Sequence, residues 1–417
     1  MVKKGYKQTE VGLIPGKWTV STIGAIADVK TGPFGSALHA EDYVQDGTPI
    51  ITVEHLGETG LTHQNLPKVS EKDRHRLFAY SMQEGDIVFS RVGSVDRNAY
   101  VTAIENGWLF SGRILRLRAK NEKLSTQYLG YYFKSEDTKE RIRNVAVGQT
   151  MPSLNTKLMN AFKVVLPTIE EQKDIAALLS NMDTLISALE KQISKKKAIK
   201  QGAMQELLTG KRRLPGFSGE WSKCKLGSLG VLLKGTGISR NDSNSGNLPA
   251  VRYGELYTKH RNYVNSYFSH ISKEVASNAQ RVYRGDILFA ASGETKEDIG
   301  KCSAIIYETA AYAGGDILIF RPTAQLDPVF MGTLLNMADA RKQRAEQGQG
   351  DAVVHIHADA LSSISIMIPN TEEQQAIAEI LIGMDKEIEL LERKLEKYRQ
   401  VKQGMMQQLL TGKIRLV

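Results

Sequence analysis

Cysteine is scarce in this sequence: its 417 residues include only Cys224 and Cys302. Two thiols cannot build a disulfide framework, and no group of Cys and His residues has the spacing of a common metal site. Long apolar runs are also missing, since no segment approaches the roughly 18 apolar residues of a membrane-spanning helix. The N-terminus has no apolar core like that of a signal peptide. We therefore expect a soluble, cytoplasmic protein that binds no metal.

The charge and the length of the chain only loosely limit its possible partners and its number of domains. Lysine and arginine number 55 against 46 aspartate and glutamate residues, which gives a net charge of +9 and a pI near 9.2. This moderate excess only slightly favours a polyanionic partner, because many proteins without a nucleic-acid role are equally basic. The length is sufficient for two or three domains, each with its own core.

One stretch of the sequence occurs twice. The first copy runs from Pro167 to Lys211 and the second from Pro369 to Lys413. Both copies open with Pro-x-x-Glu-Glu-Gln and end in Leu-Leu-Thr-Gly-Lys. The copies are 202 positions apart at both ends (369 − 167 and 413 − 211), so neither has gained or lost a residue. This constancy indicates that the length of the element matters.

Apolar residues within each copy are spaced alternately by four and three positions. A repeat that averages 3.5 residues is typical of helices that wind around each other. A short polar residue, Thr168 or Thr371, followed by two glutamates indicates a helix start, and Gly210 or Gly412 indicates its end. The sequence predicts two rods of about 60 Å that pair within the chain, because one rod alone could not bury its stripe. The predicted seam residues are Ile175, Leu179, Met182, Ile186, Leu189, Ile193, Ile377, Leu381, Met384, Ile388, Leu391 and Leu395.

The segments that precede the two helices share a second repeated framework. Gly85-Asp86-Ile87-Val88-Phe89 returns 200 positions later as Gly285-Asp286-Ile287-Leu288-Phe289 (285 − 85). Short strands at 49–53, 87–89, 99–104 and 114–117, a polar loop over 59–76 and a helix over 126–144 predict an α+β fold. The loops differ: 91–98 and 291–298 share almost nothing, and 236–247 is a new Ser/Asn/Gly-rich loop. Because recognition usually lies on loops that a rigid scaffold positions, two such heads should bind two different features.

These motifs resemble the specificity subunit of Type I restriction-modification systems. The resemblance rests on the doubled helix openings and endings, the Gly-Asp strand entries and the stretch 148–155, Gly-Gln-Thr-Met-Pro-Ser-Leu-Asn. It covers essentially the whole chain. The second copy departs from it at 350–356, where Gly-Asp-Ala-Val-Val-His-Ile replaces the run that begins at Gly148.

The resemblance implies two target-recognition domains separated by two long helices, which are paired as an antiparallel coiled coil with pseudo-two-fold symmetry. We expect the first domain at 1–165, the central helix at 166–212, the second domain at 213–367 and the C-terminal helix at 368–417. Each domain is expected to read one half of a bipartite, asymmetric DNA site, with the helices setting the gap. The implied partners are double-stranded DNA, two methyltransferase subunits and, in the full complex, restriction/translocase subunits.

No catalysis is expected from this chain. It has no Asn/Asp-Pro-Pro-aromatic motif for a flipped adenine, no glycine-rich loop for S-adenosylmethionine and no paired acidic nuclease site followed by lysine. Methylation of adenine requires a pocket for the flipped base, so the chemistry should lie on a partner. The resemblance places S-adenosylmethionine on the methyltransferase and ATP and Mg on the restriction subunit, with no cofactor on this chain. Two rival functions stay open: a self-sufficient methyltransferase or nuclease with unrecognised motifs, and a coiled-coil adaptor that binds only proteins.

Candidate DNA contacts follow from side-chain chemistry. Arginine pairs with guanine and asparagine with adenine in the major groove, whereas lysine mostly contacts phosphate. Three other motifs have simpler interpretations. Thr209-Gly210-Lys211 lacks the leading glycine of a phosphate-binding loop, His355 and His357 have no third ligand nearby, and the lysine run 195–197 is typical of a solvated helix face. The predicted DNA-binding residues are Arg74, Arg76, Arg91, Arg97, Asn98, Arg240, Asn241, Arg252, Lys259, Arg261 and Lys296.

Overall fold

The computed structural model describes residues 4–33, 38, 40–148, 150–350 and 353–416. The chain divides into two compact units. The first unit comprises Met1–Glu190 and Arg393–Val417, and the second comprises Lys191–Glu392. Each unit thus combines a globular part with a portion of both long helices.

The first unit contains short strands and helices whose bounds follow chain order. Its strands are β1 (Tyr6–Thr9), β2 (Gly12–Pro15), β3 (Thr19–Thr22), β4 (Ala27–Thr31), β5 (Tyr43–Val44), β6 (Thr48–Ile51), β7 (Lys68–Val69), β8 (Ile87–Ser90), β9 (Asn98–Tyr100), β10 (Leu109–Phe110), β11 (Ile114–Ala119) and β12 (Lys163–Leu166). Its helices are α1 (Ile23–Ile26), α2 (Glu71–Arg76), α3 (Thr126–Lys134), α4 (Glu136–Val145), α5 (Thr156–Ala161) and the N-terminal part of the first long helix, α6 (Ile169–Leu207).

The second unit has a similar but not identical succession of elements. Its strands are β13 (Ser222–Lys225), β14 (Gly230–Lys234), β15 (Leu248–Val251), β16 (Tyr263–Val264), β17 (Ser269–Ile271), β18 (Gln280–Val282), β19 (Ile287–Ala290), β20 (Ser292–Gly293), β21 (Cys302–Ile305), β22 (Ala311–Ala313), β23 (Ile317–Pro322), β24 (Val354–His355) and β25 (Ser365–Ile368). Its helices are α7 (Tyr253–Thr258), α8 (Lys273–Ser277), α9 (Pro328–Leu334), α10 (Ala338–Gln347), α11 (Ala358–Ser363) and the N-terminal part of the second long helix, α12 (Thr371–Leu409).

The sheets of the two units share their central strands and differ at their edges. In the first unit the strand orders are β4-β11-β8-β9 and β10-β6-β7-β5; in the second they are β14-β23-β19-β21-β16 and β17-β15-β22-β18. The parallel pair of β6 with β10 recurs as β15 with β22. The antiparallel pair of β3 with β12, which leads into α6, recurs as β13 with β25, which leads into α12. The framework repeat seen in the sequence is therefore a repeat of the fold.

The apolar run of β8 is continuous because this strand is buried on both faces. Ile87 and Phe89 pack in the core that contains Ile175 and Leu179 of α6, whereas Val88 faces a second core on the other side. Alternate side chains of a strand point to opposite faces, so a two-sided core requires apolar residues at successive positions. The corresponding residues of β19 divide between two cores in the same way.

The predicted α+β fold with paired antiparallel helices is confirmed. Both long helices have 39 residues. In the first unit, Lys402 and Arg399 of α12 pair with Asp183 and Glu190 of α6. Because the number on one helix falls as that on the other rises, the helices run in opposite directions. In the second unit α6 and α12 are joined in the same antiparallel sense by the ion pairs Lys196–Glu387, Lys197–Glu392 and Lys200–Asp385.

Most of the predicted seam is buried. Met182, Met384 and Leu391 are half-buried, and the other seam residues are buried: Ile175, Leu179, Ile186, Leu189, Ile193, Ile377, Leu381, Ile388 and Leu395. The helices end as predicted, with Gly210 and Gly412 both at a φ of 69°. This left-handed conformation favours glycine.

Four local predictions were wrong. The predicted helix over 126–144 is two helices, because Ser135 adopts an extended conformation (ψ 141°) between α3 and α4. Part of the predicted loop 59–76 is β7 and α2, the latter N-capped by Ser70. The predicted strand 99–104 ends at Tyr100 and is followed by a 3-10 turn at Ala103–Glu105. The polar residue that caps α12 is Asn370 rather than Thr371, since its Oδ1 accepts the Glu373 N–H at 3.0 Å.

Candidate nucleic-acid interface

Arg74 and Arg76 lie on α2, close to the C-terminal end of this short helix. Each side chain is 42% exposed. The Arg74 guanidinium donates to Glu71 at 2.7 Å, and that of Arg76 donates to Asp73 at 2.9 Å. Asp73 accepts hydrogen bonds from Ser70 and Arg76, and these bonds lower the pKa of its carboxyl group. Both arginines are accessible, but a DNA contact would compete with an existing ion pair.

The loop after β8 and the first residue of β9 hold three predicted residues in different environments. Arg91 is half-buried and donates from Nη1 to the Gly112 carbonyl at 3.3 Å. Arg97 is exposed, and its guanidinium donates to the Leu56 carbonyl, from Nε at 3.0 Å. Asn98 is only 5% exposed, and its Nδ2 donates to the carbonyls of Asp96 and Phe133. The structure thus gives Asn98 a structural role, because a buried amide cannot reach a base edge.

Four predicted residues of the second unit are exposed and carry few constraints. Arg240 and Asn241 lie in the loop between β14 and β15, where Asp242 accepts the Ser239 N–H at 2.8 Å. Lys296 lies in the turn that follows β20. Arg261 precedes β16, and its carbonyl accepts from the Ser303 hydroxyl at 2.9 Å. All four side chains are free to contact a phosphate or a base, but no contact fixes their orientation among the described residues.

Arg252 differs from these residues because hydrogen bonds with Ser269 and Glu255 orient its side chain. Its Nε donates to Ser269 Oγ at 3.1 Å, and the Ser269 hydroxyl donates to Glu255 Oε1. The other carboxylate oxygen of Glu255 accepts the Arg252 backbone N–H at 3.2 Å. Burial raises the pKa of Glu255, but the nearby His260 and the hydrogen bonds from Ser269 and Arg252 outweigh it, so the pKa lies below its ordinary value. The carboxylate is therefore charged at neutral pH.

Lys259 lies at the mouth of the same cleft. Its Nζ is 5.5 Å from the centroid of the Phe268 ring, a cation–π distance. Phe268 is 47% exposed, which is unusual for so large an apolar side chain. These residues line an open cleft of about 480 Å³ together with Arg252, Glu255 and Ser269.

Sequence reasoning missed the role of the repeated Gly-Asp pairs. Gly85 and Gly285 have positive φ, as expected of turns. The following aspartates are more than turn residues: Asp86 accepts two hydrogen bonds from the Arg118 guanidinium, and Asp286 accepts two from Arg321. Both carboxylates are buried at 1% and 2% exposure. The signal was available in the sequence, since both Asp and Arg recur in the two copies at matching places.

The described residues of the segment before each long helix share backbone features in spite of their different sequences. Gly148 and Gly350 both have a φ of 107°. Val147 bridges Ser153 in the first unit, and Gln349 bridges His355 in the second. Gln149, Asp351 and Ala352 lie outside the described residues.

A metal site requires several ligating side chains close together. Over the described ranges, no group of three or more His, Cys, Asp and Glu side chains could hold a metal ion. His355 lies on β24, where its Nδ1 is 3.2 Å from Ser292 Oγ, and His357 directly precedes α11. Burial raises the pKa of the Cys302 thiol to about 12. Within the same described ranges, no helix is both long and apolar enough to cross a membrane.

Comparison with known proteins agrees with this architecture. The model of the Type I restriction modification DNA specificity domain matches residues 15–200 and again 218–399. A Methanocaldococcus jannaschii protein, provisionally named the type I restriction enzyme MjaX specificity subunit, is 28% identical over 99% of this chain and 97% of its own. The type I restriction enzyme MjaVIII specificity subunit of the same organism is 25% identical over the same shares.

A solved structure shares the fold. The crystal structure of the Type-I restriction-modification system S subunit from M. genitalium aligns with a TM-score of 0.59 at 14% identity, over 94% of this chain and 96% of the other. Two matches to one family model span most of the sequence, one in each unit. This chain therefore belongs to the Type I restriction modification DNA specificity family, as a specificity subunit with two copies of the domain.

Proposed function

We propose that this chain selects the DNA target of a type I restriction-modification complex by reading a split sequence, one half with each recognition domain. The first domain is the globular part of the first unit, and the second domain is that of the second unit. The observation that carries the proposal is a repeated framework with different side chains at its exposed positions. Thr52 follows β6 and Arg252 follows β15, both half-exposed, and the backbone N–H of each donates to a different buried side chain, His55 or Glu255. Domains that differ in this way should read unlike half-sites.

The proposed reading residues are the accessible members of the predicted set. Arg91 and Arg97 donate to carbonyls of their own domain, so they are weaker candidates than residues without such bonds. Asn98 is left out because it is buried. Exposed arginines and lysines outside the readers should contact phosphates, which position the protein without conferring sequence preference. The proposed readers are Arg74, Arg76, Arg240, Asn241, Arg252, Lys259, Arg261 and Lys296.

Catalysis is proposed to reside on partner subunits. Methylation of adenine needs a pocket that holds the flipped base. The sequence has no recognisable motif for such a pocket. We assign S-adenosylmethionine to two methyltransferase subunits, and ATP with Mg to the restriction subunits. The paired helices would hold the methyltransferases and set the gap between half-sites at about one helical turn of DNA.

Two equivalent patches on the helices support docking of two identical partners. Ile199 and Val401 are 47% and 43% exposed and lie 202 positions apart (401 − 199). Three residues further on are Gly202 and Gly404, where an added Cβ would meet nothing within 4 Å. Residues three apart share a helix face, so each patch combines an apolar side chain with exposed backbone. A glycine inside a helix costs about 1 kcal/mol, and close approach of a partner would explain why both helices retain one.

The experiment is to map methylated adenines in cells that carry the chain and its methyltransferase. We expect one asymmetric motif with two specified halves and an unspecified gap. The purified chain alone should transfer no methyl group from labelled S-adenosylmethionine to DNA, which separates it from a self-sufficient enzyme. Together with the methyltransferase, it should bind DNA with an affinity that falls steeply with salt. A protein-only adaptor would show no such binding.

A further inference from the structure

One arginine of the second recognition domain is held in place while part of its hydrogen-bonding edge stays open. Arg252 follows β15 and is 30% exposed. Its Nε is tied to Ser269, and its backbone N–H is tied to Glu255. Ser269 in turn donates to Glu255, so the three residues form a closed ring of hydrogen bonds. Among the described residues, no hydrogen bond engages the terminal nitrogens Nη1 and Nη2.

Among the described residues, the other arginines of this domain that hydrogen bonds fix have at least one terminal nitrogen engaged. Nη2 of Arg321 donates to Asp286 and to the Arg281 carbonyl, and Arg344 is buried on the carbonyls of Ile299 and Leu335. Arg240 and Arg261 are exposed but unconstrained. The hydrogen bonds of Arg252 already restrict its rotamers. Arg252 therefore loses less conformational entropy on binding than a flexible arginine does.

The cleft around Arg252 suits the edge of a base pair. Its volume is about 480 Å³, and its lining includes Asn244 and Thr258 as further polar groups. Lys259 lies over the exposed Phe268 ring and supplies positive charge for a neighbouring phosphate. His260 is buried beneath, 1% exposed, and 3.9 Å from the Glu255 carboxylate. Glu255 is thus fixed from several sides and can act as a rigid support for Ser269 and Arg252.

We infer that Arg252 is the residue with which the second recognition domain reads a guanine, and that Glu255 and Ser269 are positioning residues for its guanidinium. This inference rests on the proposed function. Two donors in a fixed fork match the O6 and N7 acceptors that guanine presents in the major groove. No other base pair presents that pair of acceptors on one base.

The first domain has the same turn with different chemistry. After β6, the Thr52 N–H donates to His55 Nδ1 at 3.1 Å, and His55 Nε2 lies 3.2 Å from the Gln64 carbonyl. Because Nδ1 accepts, the proton is on Nε2, and it is donated to Gln64. Both ring nitrogens of His55 are therefore engaged within the domain. A cleft of the same volume, about 480 Å³, lies here and includes Arg113, but among the described residues no hydrogen bond fixes the Arg113 side chain. The first domain should read a different base at this place.

The test uses the complex of the full chain with its methyltransferase and duplexes that carry the mapped motif. Each guanine of the motif is replaced in turn by 7-deazaguanine, which lacks the N7 acceptor but keeps its pairing with cytosine. We expect one guanine, in one half-site only, at which the replacement weakens binding. Arg252→Ala should weaken binding to the natural duplex by roughly 5- to 150-fold. It should also abolish the effect of 7-deazaguanine at that position.

Two further variants separate reading from folding. Arg284→Ala removes an exposed arginine that is paired with Glu308 and should leave the guanine preference intact. Ser269→Ala keeps Arg252 but frees its Nε, so it should reduce the preference for guanine without eliminating it. Recognition of the other half-site should be unchanged in every variant, which shows that the chain is folded.

Three outcomes are decisive. The inference is overturned if Arg252→Ala retains the wild-type sensitivity to 7-deazaguanine, or if neither half-site contains a sensitive guanine. A wild-type complex that prefers no sequence in either half would instead overturn the proposed function itself. Loss of sensitivity at a single guanine, with the other half-site intact, supports the inference.

Discussion

Glu171 and Arg415 lie 244 residues apart in the sequence and form a two-point ion pair, with Nε–Oε1 at 3.0 Å and Nη2–Oε2 at 2.7 Å. Glu171 belongs to the first turn of α6, and Arg415 follows the end of α12. The pair recurs in the second unit, where Arg213 donates to Glu373 at 2.6 and 2.7 Å. Each unit is thus closed by an arginine that follows one long helix and a glutamate that begins the other.

Loss of these arginines should destabilise the two units unequally. The Trp18 Nε1–H donates to Glu171 at 2.9 Å, so Glu171 retains a partner in Arg415→Ala. Glu373 is 1% exposed, and within the described residues the Arg213 guanidinium is the only group that its carboxylate is seen to bind. Arg213→Ala should therefore be the more destabilising substitution, because it leaves the buried Glu373 carboxylate without a compensating charge, and Arg415→Ala the less destabilising one. Urea denaturation measures both, with exposed Lys413→Ala as the control. Equal losses would contradict the role assigned to Trp18.

Lys134 should make stability rise with pH above 8. Burial, helped by the nearby charges of Lys402 and Lys139, lowers the pKa of Lys134 from 10.5 to about 8. Below pH 8 the lysine is charged in both states, and the folded state bears the cost of burying that charge. Between pH 8 and 10.5 the unfolded chain binds more protons than the folded one, so the free energy of unfolding increases with pH.

The measurement compares the wild type with Lys134→Met by chemical denaturation from pH 7 to 9.5. The substitution should stabilise the protein at pH 7 and flatten the increase above pH 8. Lys157→Met, at an exposed position of α5, is the matched control and should keep the wild-type slope. A wild-type slope in Lys134→Met would show that this lysine keeps its ordinary pKa.

The patches at Ile199 and Val401 allow a test of how many methyltransferase subunits the chain binds. Glutamate at either position places a charge in an apolar contact, which is costly unless the charge is paired. We expect Ile199→Glu and Val401→Glu each to lose one methyltransferase subunit, and the double variant to lose both, as measured by native mass spectrometry. Ser194→Glu introduces the same charge on another face of α6, because five residues rotate the side chain by about 140°. It should bind two subunits.

The sequence predicted the parts of this fold that depend on periodicity. The 3.5-residue seam and the equal lengths of the two copies were sufficient for the paired helices, since a helix with such a stripe must bury it. The Gly-Asp-Ile-Val-Phe repeat likewise located β8 and β19. In contrast, the break at Ser135 was missed, although the apolar run that ends at Phe133 gives way there to a strongly charged segment.

The sequence did not predict the contacts between residues that are far apart in the chain. The Glu-Glu-Gln motif suggested only a helix start, yet Gln172 accepts the Ser125 N–H at 2.9 Å and Gln374 accepts the Asp327 N–H at 3.0 Å. These bonds tie each long helix to the helix that packs on it. Asn98 was proposed as a reader because loop asparagines suit adenine, but burial against the Phe133 carbonyl could not be inferred from its neighbours.

Lengthening both helices should widen the gap between the half-sites. Four residues inserted between Glu190 and Lys191, and four between Glu392 and Arg393, fall at the boundaries between the units and leave each unit whole. Each insertion adds ~6 Å, against ~3.4 Å per base pair, so the gap should grow by one to two base pairs. The insertion is a stutter in the seam and should cost some stability.

Mapping of methylated adenines measures the gap between the half-sites directly. Both half-sites should keep their sequence, because neither recognition domain is altered. Four residues inserted after the exposed Gly219 lengthen the chain outside the helices and should leave the gap unchanged. A changed half-site, or an unchanged gap in a folded double-insertion variant, would mean that the distance between half-sites is set by something other than the length of the paired helices.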